Sequence, residues 1–127
     1  MLETFASGFL VFAYLATALF QLAIVFGAPL GEYAYGGGHA GVLPNRFRVA
    51  SIFSFLILVA IAGHYLAQTP VVQPLLGETG NSVVNWVLVG YALLAAVANN
   101  ITRSEKEKRL WGGTTIAMLL AAVIVAI

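Results

Sequence analysis

Cysteine and aspartate are both absent from this 127-residue chain, and charge of either sign is scarce. Without cysteine, the protein can form no disulfide bond, thiolate nucleophile or cysteine-ligated metal site. Charged residues make up 9% of the sequence, whereas a soluble domain carries about a quarter. So few charges cannot cover a water-exposed surface, and six basic residues are too few for a nucleic-acid interface. We therefore expect the lipid bilayer to surround the protein.

Four apolar runs, each long enough to cross a bilayer as a helix, follow one another along the chain. The predicted helices cover about 5–26, 47–67, 82–98 and 105–127, within a single domain of residues 1–127. Gly27 and Pro29 after the first run are typical of a helix end, and Ser104 with Glu107 is typical of a capping box. The sequence therefore predicts an all-α fold, a four-helix transmembrane bundle.

Basic residues occur only in the first and third connections between the predicted helices. They are Arg46 and Arg48 in the first connection, and Arg103, Lys106, Lys108 and Arg109 in the third. Loops that carry lysine and arginine stay on the cytoplasmic side of a membrane. We therefore expect a multi-pass protein of the cell inner membrane whose N-terminus and C-terminus both lie outside the cytoplasm.

The first connection is the most unusual segment, because residues 27–48 contain six glycines. Its candidate ligand-binding residues are Glu32, His39, Arg46 and Arg48. Glycine-rich backbone beside arginine can present N–H groups to an anion. The alternative is a structured lid whose arginines contact lipid phosphates. A metal site usually needs three or four ligands, which this loop does not offer, so we predict no metal, cofactor or catalytic residue.

Polar side chains within the apolar runs form a second candidate site. Gln21, His64, Asn85 and Tyr91 could line an intramembrane path for a polar solute. The alternative is that these groups form hydrogen bonds between helices, which hold membrane bundles together. No acidic or basic residue lies in the middle of a predicted helix. That absence argues against a proton-driven exchanger, which needs an intramembrane carboxylate.

Several short motifs resemble a family of uncharacterised small bacterial four-helix membrane proteins. They are Gly27-Ala-Pro-Leu-Gly31, the glycines before His39, Gly41-Val-Leu-Pro44, Arg46, Arg48 and Ser51. The segment from Asn100 to Trp111 resembles the third connection of the same family. The resemblance covers all four helices and implies the architecture and a bacterial inner-membrane location. It implies no activity.

Three classes of function remain open at this point. We favour a non-enzymatic protein that acts by binding or by assembly, because small residues in the helices permit a homo-oligomer. The first alternative is a small transporter or channel subunit for a solute or ion, which predicts a cavity that reaches Gln21 or Asn85. The second is an enzyme acting on a lipid head group, which requires Glu32 or His39 beside Arg46.

Overall fold

Four long helices and no strand make up the protein, in a computed structural model that describes residues 1–127. The helices are α1 (Leu2–Val25), α2 (Asn45–Leu66), α3 (Glu78–Ile101) and α4 (Glu105–Ala126). All four are long and apolar enough to cross a membrane. The prediction of an all-α fold with four membrane-length helices is confirmed.

Helix α3 is longer than the apolar pattern predicts, by four residues at its start and three at its end. The side-chain amide of Asn99 donates to the carbonyl of Ala95 (2.8 Å), and that of Asn100 donates to the carbonyl of Ala96 (2.7 Å). Both bonds run back to a carbonyl four residues earlier, so the two asparagines continue the last turn instead of ending the helix. The two polar asparagines therefore mark where the apolar surface of α3 ends, but the helix itself continues to Ile101.

The four helices pack in the spatial order α2, α1, α4, α3. Helix α1 contacts both α2 and α4, and α3 contacts α4, whereas α2 and α3 barely approach each other. Small side chains on α1, α3 and α4 allow the close contacts in this core. The buried members include Ala6, Ala13, Ala18, Ala92, Ala121 and Ala122. One side of the bundle, between α2 and α3, is therefore left without helix-to-helix packing.

The two ends of the bundle differ in their connections. At the lid end, connection 1 (residues 26–44) and connection 3 (residues 102–104) join the helices. At the terminal end lie both chain termini and connection 2 (residues 67–77), which is exposed throughout residues 70–77. Connection 1 is folded: two short 3-10 turns, Gly31–Tyr33 and Tyr35–Gly37, follow each other, and the Gly31 N–H donates to the carbonyl of Gly41 (2.8 Å). It forms an ordered lid over one end of the bundle.

Candidate functional site

A cavity of about 640 Å³ lies between α2 and α3 at the lid end of the bundle. Its deepest residues are Tyr14, Leu58, Tyr91 and Met118, one from each helix. Connection 1 supplies the roof through residues 33–36. The cavity therefore occupies the side of the bundle where α2 and α3 do not pack, and it extends from the lid toward the middle of the membrane-spanning segment.

Three long-range hydrogen bonds hold the roof of the cavity in place. The indole N–H of Trp111 donates to the carbonyl of Tyr33 (3.1 Å), and the backbone N–H of Gly36 donates to a carboxylate oxygen of Glu107 (3.2 Å). The hydroxyl groups of Tyr35 and Ser51 lie 2.9 Å apart. These contacts join connection 1 to α4 on one side and to α2 on the other, so the lid bridges the two parts of the bundle.

Connection 1 also contacts the start of α4 through its own backbone. The Ser104 hydroxyl donates to the carbonyl of Glu32, and the Glu32 carboxylate forms an ion pair with Lys106. Gly37 has a φ of +72°, and a β-carbon there would lie 2.5 Å from the β-carbon of Ser104. Only glycine fits both the left-handed backbone and this close approach. The docked position of the lid therefore depends on Gly37.

Aromatic rings form much of the cavity wall. Phe20 and Trp111 meet edge to face, with ring centroids 4.9 Å apart. At the floor, Tyr14 stacks on Tyr65 at 5.8 Å and lies 6.4 Å from the ring of Tyr91. Aromatic and aliphatic walls with a few polar groups are typical of sites that bind small organic molecules.

Two polar groups in the cavity lack the partners that their burial requires. The side-chain oxygen Oε1 of Gln21 is buried and accepts no hydrogen bond. Glu107 is 7% exposed, and its carboxylate accepts a bond from Gly36 while pairing with no basic side chain. An unsatisfied buried acceptor costs about 1–3 kcal/mol, and more when it is charged. Both groups would be stabilised by a ligand that donates to them.

Helix α4 widens into a π-helical segment, Lys108–Gly112, beside the cavity. Side chains bind the carbonyls that the wider turn displaces. The Thr115 hydroxyl lies within reach of the carbonyls of Trp111 (2.7 Å) and Gly112 (3.0 Å), and the Asn100 amide also donates to Gly112 (3.1 Å). π-Helical turns of this kind occur often at functional sites. Here the turn lies between Glu107 and Thr115, which both line the cavity.

The four candidate residues of the first connection do not form one site: two of them contact the ring of Phe47, and the other two bond elsewhere. Glu32 pairs with Lys106, whereas Arg48 donates to the carbonyl of Val25 through two nitrogens (2.8 and 3.2 Å). His39 and Arg46 both lie 4.9 Å from the ring of Phe47. None of the four lines the cavity. Arg48 thus caps the end of α1, and Glu32 fastens the lid.

The four intramembrane candidates divide into two pairs. Gln21 and Tyr91 line the cavity. His64 and Asn85 lie at the terminal end, where the His64 ring nitrogen Nε2 donates to Asn85 Oδ1 (2.7 Å). The hydrogen bond between His64 and Asn85 agrees with the interpretation that polar groups in the helices form contacts between helices. Gln21 and Tyr91 instead face a space that a ligand could fill.

Sequence reasoning missed Glu107 as a cavity residue, because it assigned this carboxylate to a capping box. The Ser104 hydroxyl does accept the Glu107 N–H (3.1 Å), which confirms the cap at the start of α4. The second half of the box does not form: the Ser104 N–H bonds to the Thr102 hydroxyl (3.2 Å), and the carboxylate turns to Gly36. Glu107 and Gly36 are 71 positions apart, so no local pattern could indicate the contact.

Comparison of the chain with protein-family models, curated proteins and solved structures finds no match. The functional conclusion therefore depends on the geometry of the cavity and its lining. The family resemblance in connection 1 and in the segment from Asn100 to Trp111 stays a prediction.

Proposed function

We propose that this protein binds an amphipathic small molecule of the membrane in the cavity between α2 and α3, without converting it chemically. The observation that carries the proposal is the buried, unpaired oxygen Oε1 of Gln21 in a largely apolar cavity. A donor on a ligand would satisfy this oxygen. The volume of about 640 Å³ falls within the range of about 300–1,000 Å³ that small-molecule sites occupy.

The position of the cavity supports entry from the bilayer. Helices α2 and α3 do not pack against each other beside it, and connection 1 covers its end. A molecule dissolved among the acyl chains can move sideways between two unpacked helices without crossing the lid. A molecule from water would have to pass the folded connection. The ligand is therefore a lipid-soluble compound with an apolar body.

The proposal includes a location and an orientation. The positions of all six basic residues support an orientation with the lid end in the cytoplasm and both termini outside. The bacterial inner membrane is the location that the family resemblance implies. The chain has no cysteine, so a single cysteine introduced by mutation reports the side of the membrane on which its own position lies. A membrane-impermeant maleimide added to intact cells should label Gln73→Cys in connection 2. It should label Ala40→Cys in connection 1 only after permeabilisation, and the reverse pattern would contradict the orientation.

A transporter is the second candidate function, and it would need a path through the terminal end of the bundle. There the side-chain amides of Gln68 and Asn81 exchange two hydrogen bonds (2.8 and 2.7 Å) beside the His64–Asn85 bond. The cavity opens between the helices at the lid end and stops before this cluster. Transport would require these bonds to break while the lid end closes. The arrangement supports a binding site more directly than a through-path.

Assembly and catalysis have weaker support from the geometry. A second copy of the chain could cover the open side between α2 and α3, so a homo-oligomer remains compatible with the proposal. A reaction on a lipid head group would need Glu32 or His39 beside Arg46. Glu32 instead pairs with Lys106 outside the cavity.

Binding can be measured with diphenylhexatriene, a neutral apolar dye that accepts energy from tryptophan. In a Trp86→Phe background, Trp111 in the cavity wall is the only donor. We expect saturable energy transfer in dodecyl maltoside micelles. Ala95→Phe, which fills the cavity, should abolish the saturable part, whereas Ala117→Phe on the exposed face of α4 should leave it unchanged. Transfer that never saturates, or that survives Ala95→Phe, would overturn the proposal.

A further inference from the structure

We infer that the cavity selects an organic cation, in the form of an ammonium group carried on an apolar body, with Glu107 as the counter-ion. This inference rests on the proposed function, because it names the class of molecule that enters the same cavity. It depends on the burial of one carboxylate, on the rings beside it and on the separation between the charged and the uncharged parts of the wall.

Glu107 is a buried carboxylate without a cation. Its side chain lines the cavity and the residue is 7% exposed. The single ion pair in the structure joins Lys106 to Glu32, so no basic nitrogen lies within 4.0 Å of the Glu107 carboxylate. A buried charge is stable only when it is paired or richly hydrogen-bonded, and Gly36 supplies one bond. The missing partner of Glu107 is a positive charge in the cavity.

No basic side chain nearby pairs with Glu107. Lys106 is paired with Glu32 and also lies 5.8 Å from the ring of Tyr33. Arg103 lines the rim of the cavity and is exposed, and Arg109 is exposed as well. None of them lies within 4.0 Å of the Glu107 carboxylate, so the structure leaves this carboxylate without a counter-ion.

The rings beside Glu107 suit an organic cation better than a metal ion. Trp111 follows Glu107 by about one turn of α4, and the ring of Phe20, which meets Trp111 edge to face, also lines the cavity. The negative face of such rings attracts an ammonium group, most strongly when the group is removed from water. A metal ion would instead need several oxygen, nitrogen or sulfur ligands, and no cluster of three or more acidic or histidine residues exists.

The two ends of the cavity differ in charge: its carboxylate lies at the lid end, whereas the deep end, which includes Tyr14 and Tyr91, holds only uncharged side chains. Glu107 lies in the first turn of α4 at the lid end, and Leu58 and Met118 lie at the deep end. The distance along α4 from Glu107 to Met118 is roughly 16 Å at the usual rise per residue. A bound amphipath would place its charge at the membrane surface, where charge is least costly, and its body toward the bilayer centre.

Two sources could supply this chemistry. One is a free lipophilic amine that partitions into the bilayer, and the other is the ammonium head group of a membrane lipid. Both present a positively charged nitrogen next to an apolar body, so the same contacts would recognise either. Probes that differ only in charge test the chemical class of the ligand, and competition experiments distinguish the two sources.

The probes are three diphenylhexatrienes that differ only in charge: the trimethylammonium derivative, the neutral parent and the propionate. They are titrated in uncharged dodecyl maltoside micelles, with energy transfer from Trp111 in the Trp86→Phe background. We expect the cation to bind about tenfold more tightly than the neutral dye and the anion to bind most weakly. If all three bind with equal affinity, or the anion binds best, the inference is overturned, and the second result would assign the selectivity to Arg103.

Glu107→Gln tests the residue itself. The glutamine retains an oxygen that can accept the Gly36 N–H, so the roof should stay docked. Glu105→Gln is the matched control, because it removes the same charge from an exposed position in the same turn. We expect Glu107→Gln to lower the affinity for the cation about tenfold and to leave the neutral dye unchanged. An equal loss in both variants would overturn the inference, since it would reflect overall charge.

Failure of the inference and failure of the proposed function give different results. If no probe binds saturably to the parent protein, the proposed function fails and the inference fails with it. If the neutral dye binds and Ala95→Phe abolishes binding, but Glu107→Gln has no effect on the cation, only the inference fails.

Competition in the same micelles identifies the source. Lyso-phosphatidylethanolamine should displace the cationic dye if the natural ligand is a lipid head group, with lyso-phosphatidylglycerol as the control that lacks the ammonium. If the natural ligand is a free amine, only dodecylammonium should displace the dye. Failure of both to displace it would contradict the inference.

Discussion

The two ends of the open side between α2 and α3 use similar residues in opposite ways. At the terminal end, His64, Gln68, Asn81 and Asn85 bond to one another across the helices, and we call these four residues the terminal cluster. At the lid end, Gln21 holds an oxygen without a partner and Glu107 a carboxylate without a cation. A polar group in an apolar setting is structural where the fold provides its partner. It becomes a binding group where the fold leaves a space instead.

The backbone differs between the two ends as well. Connection 2 is exposed over residues 70–77, and at that end the hydrogen bond between α2 and α3 comes from the side chains of His64 and Asn85. At the lid end, residues 33–36 of connection 1 lie over the cavity and bond to α4. The lid contacts hold the roof while the helices beneath it stay apart. The cavity is therefore a consequence of how the long connection docks.

The largest effect should follow from undocking the lid with Gly37→Ala. The new β-carbon would meet Ser104 and would require a left-handed backbone at alanine, which together cost about 1–3 kcal/mol or more. Gly38→Ala is the control, because Gly38 has a φ of −68° and open space around it. We expect a lower melting temperature and a shifted Trp111 emission for Gly37→Ala alone. Equal behaviour of the two variants would show that the lid is not held at Ser104.

The second-largest effect on stability should follow from disruption of the terminal cluster by Asn85→Leu. Asn85 is 7% exposed, and its 2.7 Å bond to His64 is the shorter of the two contacts of the imidazole Nε2, so the leucine leaves this nitrogen with only the Gln68 amide at 3.5 Å. Hydrogen bonds between membrane helices contribute about 0.6–2 kcal/mol, and we expect a destabilisation of that order. A double-mutant cycle with His64→Leu, measured by thermal unfolding in micelles, should recover the coupling. Additive effects would mean that the cluster does not hold α2 to α3.

A smaller effect is expected for Gly112→Ala in the π-helical turn. A β-carbon at this position would lie 2.9 Å from Asn100 Oδ1, so the asparagine must move and lose its bond to the Gly112 carbonyl. The loss of one such bond costs about 1 kcal/mol. Gly113→Ala meets nothing within 4 Å and should be neutral or stabilising, because alanine favours helix. Thermal unfolding of both variants measures the difference, and a stabilised Gly112→Ala would contradict the assigned contact.

The smallest loss of stability, and the opposite sign from Asn85→Leu, is expected for Gln21→Leu. The unpaired oxygen costs stability and contributes none, so leucine should leave the melting temperature unchanged or raise it. Binding of a hydrogen-bonding ligand should weaken in the same variant. A destabilisation as large as that of Asn85→Leu would show that Gln21 has a structural partner, and the contrast between the two ends would disappear.

The sequence predicted some residues of the site but not how they are arranged in space. It selected Gln21 and Tyr91, which line the cavity, because polar groups in apolar helices are conspicuous. It selected His64 and Asn85 by the same rule, and nothing local separates the two pairs. It passed over Glu107, because Glu107 lies in a segment whose pattern is fully explained by a helix cap. The composition of the segment 27–48 is unusual, and of its candidate residues Glu32 fastens the lid and Arg48 caps α1.

The sequence alone determined the number of helices, their length and their apolar character. In lipid, every backbone N–H and C=O must be satisfied within its own segment, so an apolar run of this length becomes a helix whatever its neighbours are. The tertiary structure alone decided which polar groups are paired, since the partners come from distant parts of the chain: Gly36 meets Glu107 across 71 positions, and Tyr33 meets Trp111 across 78. An unpaired group becomes a binding group only where it also faces a cavity, as Gln21 does and as Ser7 and Tyr65, whose hydroxyls are unpaired too, do not. Only the packed chain shows where the cavity lies.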